Sequence, residues 1–287
     1  MSHAGHDIST WPARLGVKPG DTIQLMADLT RVAWNARRAG KRFSADGFLD
    51  AFADAVGPTG TVLVPTYNFD LRAGDVFDIR STRSISGALA NAALDHPRFR
   101  RTPHPLHSFA VTGAGSDALI RSEERSSFGP GSPFAYLMDR RATLIAIDLP
   151  LNDAVTFAHF TEEATGVSYR RHRPIRLGYT SADGNTGDRI FSLYAKKPGH
   201  HMDFTRLEQM AEHDGAITRI DLDGSKALRL GLPWVHAMVE HDIRTNKART
   251  IHQFRWSWWL KDHMKELLRT FGIRTRQERT AHAARTA

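Results

Sequence analysis

Short apolar runs along the first half of the chain alternate with segments whose apolar residues recur at helical spacing. Thr22-Ile23-Gln24-Leu25-Met26 follows the turn Pro19-Gly20-Asp21, and Thr61-Val62-Leu63-Val64 lies between Gly57-Pro58-Thr59-Gly60 and Pro65. Both read as buried strands, as do Phe109-Ala110-Val111 and Thr143-Leu144-Ile145-Ala146-Ile147. Phe48, Leu49, Phe52 and Val56 predict a helix within Phe43 to Val56, capped by Ser44 or Asp46. Further helices are expected from Ser84-Ile85-Ser86-Gly87 to about Leu94, from Ser116 to Arg121, and after a Ser132 cap with Pro133 at the first position. Strands that are apolar throughout need cover on both sides. The pattern therefore predicts an α/β protein: a central mixed sheet covered by helices on both faces, an α/β/α sandwich.

The second half carries fewer signals. Asp183-Gly184-Asn185 predicts a hairpin turn before a strand from Ile190 to Tyr194. Helices are expected from Met202 to Ala211 and from Pro233 to Ile243, with short strands from Ala216 to Ile220 and Ser225 to Leu230. Phe254, Trp256, Trp258 and Trp259 fall in a helix or turn with Lys261, Lys265 and Arg269, while Met1 to Pro12 reads as irregular. No repeat or long linker forces a cut, which predicts one domain over residues 15–270 and a basic tail over 271–287.

Composition then removes whole classes of function. Hydrophobic residues at 41% and charged residues at 24% are ordinary for a globular protein. No apolar run approaches the roughly 18 residues needed to cross a bilayer. The polar start, without an apolar h-region, predicts no secretory signal and a cytoplasmic location. Absence of cysteine excludes disulfides, thiolate metal sites and a cysteine acyl-enzyme. A formal charge of +8 and a pI near 10.0 describe a surface that attracts anions, with arginine concentrated at the end in Arg269, Arg274, Arg276, Arg279 and Arg285.

Three polar segments carry candidate chemistry. In Val155 to Glu163, His159 and Glu162 lie three residues apart and share a face if a helix begins near Thr156, whose hydroxyl can cap it. A histidine held beside a carboxylate is a potential general base. His96 to Ser108 gathers Arg98, Arg100, Arg101, His104 and His107 among three prolines, which fits either a site-bearing loop at a strand end or a stiff surface crossing. Ser84-Ser86-Gly87 after Arg83 either presents backbone N–H groups to a phosphate or simply caps its helix. The pair His104 and His107 lacks the remainder of a ligand set, so no metal site is assigned.

Taken in order, these segments resemble the aminoglycoside 3-N-acetyltransferase family. The resemblance runs through Leu15-Gly16-Val17 to Gly20-Asp21, Val56 to Thr66, Arg101-Thr102-Pro103-His104-Pro105-Leu106-His107-Ser108, Gly129 to Pro133, the Thr-x-x-His-x-x-Glu of Thr156, His159 and Glu162, and Tyr169-Arg170. It implies an acyl-CoA-dependent N-acyltransferase moving acetyl from acetyl-CoA to an amine on a sugar-like acceptor. His159 would be the general base, Glu162 its orienting partner, and Thr156 either a donor to the thioester oxygen or a helix cap. With no cysteine, direct attack in a ternary complex is the simpler route. Arg101, His104, Ser108 and the Ser84-Ser86-Gly87 entry become candidates for the CoA phosphates and pantetheine arm.

Two departures bear on the acceptor. The family's His-Ser-Ser-Leu segment after the first strand is replaced by Met26-Ala27-Asp28-Leu29. A chain at +8 also attracts polycationic aminoglycosides poorly unless Asp28, Asp70 and Glu163 make a local acidic cleft. An amino sugar, for instance on a nucleotide or glycan precursor, suits the charge better, with an aminoglycoside 3-N-acetyltransferase conferring resistance as the alternative. A nucleic-acid-binding protein is a further alternative, from the arginine-rich tail and Trp256, Trp258 and Trp259, but no nucleic-acid motif accompanies them. A zinc hydrolase built from the 15 histidines lacks closely spaced ligands. The chain leaves open whether the enzyme works as a homodimer.

Overall fold

The structure of the protein, a computed structural model, describes residues 7–270. The basic tail expected at 271–287 lies outside the described residues. Twelve strands, numbered in chain order, form three sheets among them. The central sheet takes β1 (Thr22–Ala27), β2 (Thr61–Pro65), β4 (Arg100–Arg101), β5 (Phe109–Gly113), β6 (Thr143–Ile147), β10 (Ile217–Leu222) and β11 (Ser225–Gly231). A hairpin of β7 (Arg170–Thr180) and β8 (Thr186–Lys196) is joined by β3 (Val76–Asp78), and β9 (His200–Met202) pairs with β12 (His252–Phe254).

The central order is β10-β11-β6-β1-β2-β5-β4. β1 runs parallel to both β2 and β6, and every other pairing is antiparallel, so the sheet is mixed. Its alternate side chains divide two cores. Ile145 and Ile147 of β6, Val62 and Val64 of β2, and Ile23 and Leu25 of β1 pack with Trp11, Leu29, Val32, Phe48, Phe52 and Leu89 from the early helices. Leu144, Ala146, Leu63, Phe109 and Val111 face the other way, onto Phe134, Leu151, Ala158, Leu207, Val235 and Val239. Helices thus cover both faces, as the unbroken apolar strands require.

One reversal positions the site. β1 and β6 are adjacent and parallel, yet the chain leaves β1 for the helix Leu29–Arg38 on one face and β6 for Leu151–Ala154 and Ala158–Thr165 on the other. Such a switch opens a crevice at the carboxyl ends of the strands.

Three local differences from the sequence expectations have physical reasons. The helix Leu29–Arg38 was not expected, although Asp28 caps it by accepting a hydrogen bond from the Thr30 N–H at 3.0 Å. Asp28 is therefore a helix cap rather than part of an acidic cleft. The basic run from Arg170 is a strand, because Ile175, Leu177 and Tyr179 alternate into a third core with Leu71, Phe77, Leu106 and Phe191. Arg170 and Arg176 have the opposite parity, while Arg171 and Arg173 continue the face of Ile175 beyond that core. Finally, the helix after β6 begins at Ala158, with Phe157 at the cap position and no side-chain cap, so Thr156 does not cap it.

Candidate active site

His159 stands in the first turn of Ala158–Thr165, a helix stopped by Gly166 in the left-handed conformation at φ 71°. There the Gly166 N–H donates to the carbonyls of Glu162 and Glu163, so the last turn closes where an L side chain would be strained. The chain then turns into β7 through Tyr169 and Arg170. Helix and strand start therefore face each other, and three neighbours converge on the Glu162 carboxylate.

That carboxylate is fully buried. Its Oε2 accepts from His159 Nδ1 at 2.7 Å and lies 2.5 Å from Arg170 Nε, while the Tyr169 hydroxyl donates to Oε1 at 2.7 Å. Burial by itself would raise the Glu162 pKa, but His159, Arg170 and Tyr169 outweigh it and hold the carboxyl below its usual range. One Arg170 Nη atom lies 2.8 Å from Nδ1 and 3.1 Å from Nε2 of His159. Burial first, and then the Arg170 charge, push the His159 pKa below its ordinary value against the pull of Glu162. At neutral pH the ring is therefore neutral. A proton on Nδ1, donated to Glu162, makes Nε2 the acceptor nitrogen of the ring, which Arg170 Nη approaches.

The His159 side chain is 19% exposed and opens on a cavity of about 700 Å³. Phe69, His107, Phe128 and Thr156 line it together with Arg173, Tyr194, Lys196, Lys197, His201 and Asp262. Asp262 is the one carboxylate among these lining residues, against the cations Arg170, Arg173, Lys196 and Lys197. Among the described residues, no group of three or more His, Asp or Glu side chains is placed to hold a metal ion.

The structure thus brings together His159, Glu162 and Thr156, the last half-buried on the cavity wall. It does not bring the other candidates to them. Arg101 is 8% exposed and spends its nitrogens inside the fold: Nε donates to Ser108 Oγ at 3.0 Å, one Nη to the Thr66 carbonyl at 3.2 Å, and the other to the Thr82 carbonyl. Phe77 packs on its guanidinium, and burial lowers its pKa to about 10. Ser108 is fully buried and donates to the Thr66 carbonyl at 2.7 Å. His104 is sealed against Phe191, its Nδ1 accepting from the His107 N–H, and burial lowers its pKa to about 4.

Ser84 and Ser86 tether the Tyr67 backbone, Ser84 Oγ donating to the Tyr67 carbonyl and Ser86 Oγ accepting from the Tyr67 N–H, both at 3.0 Å. Ser86 and Gly87 remain exposed at the helix start. Asp70 lines a neighbouring cavity of about 290 Å³ that shares Phe69 and Arg173 with the larger one. Glu163 points elsewhere, accepting from Ser126 Oγ at 2.6 Å, and burial raises its pKa. Asp28, Asp70 and Glu163 therefore do not form one acidic cleft.

Sequence reasoning passed over His107. It lies in the same motif as Arg101 and His104, but it alone reaches the cavity, 4.7 Å from the Phe128 ring, with Nδ1 buried and lacking a hydrogen-bond partner. Its signal was the alternation of His104 and His107 around Leu106, which sends only one of the two toward His159. Asp262 and Lys197 come from distant segments with no motif, so nothing local marked them.

The mixed central sheet with helices on both faces has the fold of an aminoglycoside acetyltransferase. Residues 27–241 match the sequence profile described as aminoglycoside 3-N-acetyltransferase, and the chain belongs to that family of acetyl-CoA-dependent N-acetyltransferases. It is 24% identical over 211 residues to aminoglycoside N(3)-acetyltransferase III of Salmonella sp, covering 67% of this chain and 71% of that protein. Its fold is similar to that of AAC-IIIb in binary complex with CoASH, at TM-score 0.71 and 22% identity over 83% of this chain and 95% of that one. AAC-VIa bound to sisomicin follows at TM-score 0.66 and 18% identity, covering 83% and 96%.

Proposed function

We propose that this chain moves the acetyl group of acetyl-CoA directly to a primary amine on an amino sugar, with His159 as general base. The observation that carries the reading is the His159 ring, tied by Nδ1 to Glu162 and lining the cavity. Acetyl-CoA supplies an acetyl thioester. The residues present fit it: Arg173, Lys196 and Lys197 offer cations for phosphate, and the exposed Ser86-Gly87 helix entry is the sequence candidate still accessible to one.

As the amine nitrogen bonds to the acyl carbon and the carbon–sulfur bond breaks, His159 Nε2 takes the amine proton and returns a proton to the leaving sulfur. Glu162, ionised, fixes the ring and stabilises the imidazolium. Arg170 keeps the resting ring neutral, and its own charge stays balanced by Glu162. Thr156, on the cavity wall, is the residue to which we assign the hydrogen bond to the thioester oxygen. No covalent acyl-enzyme on cysteine is available to this sequence.

A lining with four cations and one carboxylate favours an acceptor less cationic than an aminoglycoside, such as an amino sugar on a nucleotide or glycan precursor. The test is thiol release from acetyl-CoA with a panel of amino sugars, nucleotide amino sugars and aminoglycosides, followed by product mass. Turnover fastest with a neutral or anionic amino sugar supports the reading. Preference for a polycationic aminoglycoside would overturn its acceptor, and turnover with no amine would overturn its chemistry.

A further inference from the structure

The last described helix, Trp256–Thr270, presents an apolar stripe to solvent. Trp256 is 73% exposed, Leu260 61%, Met264 52% and Leu267 47%. At about 100° per residue, these four fall within an arc of about 80°. Phe254, 40% exposed, packs edge-on against Trp256 and extends the stripe.

The opposite face is the one docked on the protein. Trp258 packs on His201 at 4.1 Å between ring centroids, and Asp262 Oδ2 accepts the Gly199 N–H at 3.1 Å. Gly199 has φ +82°, and a Cβ there would meet Phe254 at 2.6 Å and Trp259 at 2.8 Å, so glycine permits the close seat. Asp262 also lines the cavity of His159. The outward stripe is consequently left over after both the docking and the cavity wall are made.

We infer that this stripe is a docking surface for an anionic lipid bilayer, on which the helix lies flat. The occupant is argued from charge and size. Lys261 borders the stripe, and the chain continues through Arg274, Arg276, Arg279 and Arg285 in a molecule of net charge +8. A helix with tryptophan and leucine on one side and cations beside it binds the headgroup boundary by apolar burial together with attraction to anionic lipid. A second copy of the chain would bring the same positive charge to the contact. Four side chains on one helix also fall short of the roughly 800 Å² per partner of a standard stable interface. No described helix is long and apolar enough to cross a membrane, so the contact is peripheral. Because the same helix carries Asp262, docking places the His159 cavity beside the lipid surface.

The full chain is to be sedimented with vesicles of phosphatidylcholine alone and with phosphatidylcholine containing phosphatidylglycerol, beside the Trp256→Ser/Leu260→Ser and Met264→Ser/Leu267→Ser variants. Circular dichroism and thermal melting check that each variant is folded, and light scattering gives its mass. The account expects binding only to the phosphatidylglycerol vesicles, at least tenfold weaker in both variants, with the wild-type chain monomeric. Three results would each overturn it: wild-type protein that stays in the supernatant at low salt, vesicle binding that both variants retain in full, or a dimer that the same substitutions dissolve. Should one variant fail to fold, the other pair still reads the stripe.

Discussion

His159 and His104 sit in two polar clusters made of the same ingredients, separated by the rings of His107 and Phe128. Around His159 there are an arginine, a carboxylate and a tyrosine hydroxyl; around His104 and Arg101 there are serine, threonine and backbone carbonyls. Both lower the pKa of their histidine by burial. The difference lies in what reaches a cavity. Arg101 has protein acceptors on every nitrogen and His104 is closed off with its Nε2 buried and unpartnered, whereas the His159 ring, bonded to Glu162 and Arg170, opens on the cavity. A polar cluster closed off from every cavity is a scaffold; one whose histidine reaches an open cavity is placed to be a reagent.

The largest test of that contrast is His159→Ala. We expect kcat/KM to fall by roughly 10²–10⁴-fold, the usual contribution of a positioned acid–base group, with the melting temperature nearly unchanged. Activity retained within tenfold would make the two clusters alike. Arg101→Met should do the converse. Removing donors from buried acceptors at Ser108, Thr66 and Thr82 is expected to cost about 2–4 kcal/mol in denaturant unfolding, with KM for acetyl-CoA unchanged in the folded fraction. A rise in that KM with intact stability would return Arg101 to the ligand.

His104 supplies a pH signature for the scaffold. Its folded pKa of about 4 lies below the ordinary 6.5, so the unfolded state binds the extra proton between those values. The stabilisation is fully present above about pH 6.5 and is lost as pH falls toward 4, on the order of 3 kcal/mol in all. Urea midpoints across this range should fall less steeply for His104→Gln than for the wild type. The smallest effect is assigned to Tyr169→Phe, which takes one donor from Glu162 and leaves His159 and Arg170 in place. A loss of a few-fold in kcat is expected, from about 1 kcal/mol for one hydrogen bond. A loss equal to that of His159→Ala would mean that the hydroxyl itself meets the substrate.

The strands and the His159–Glu162 pair were legible in the sequence because each is a local statement. Thr143 to Ile147 is a strand by its own apolar run, and His159 reaches Glu162 across a single helical turn. Charge was read less well. Asp28, Asp70 and Glu163 were expected to gather, but a cap bond, a separate cavity and a serine partner draw them apart. Arginine in the Arg101 motif looked available for phosphate; its destination depended on carbonyls of Thr66 and Thr82, which only the fold brings near. The cavity's cations come from β7 and the end of β8 and its acid from the last described helix, segments with no shared motif. The basic strand β7 hid its period of two beneath its arginines.

The central claim is that neutral His159 is the base, with its pKa held down by burial and by Arg170. The most direct measurement is kcat/KM against pH for the wild type and His159→Ala at saturating acetyl-CoA, varying the best amine. The wild type should show an acid limb whose midpoint, after the amine's own ionisation is accounted for, lies below the ordinary histidine value of 6.5, and His159→Ala should lose that limb with most of its rate. An acid limb that survives in His159→Ala, or a wild-type midpoint above 6.5, would contradict the account.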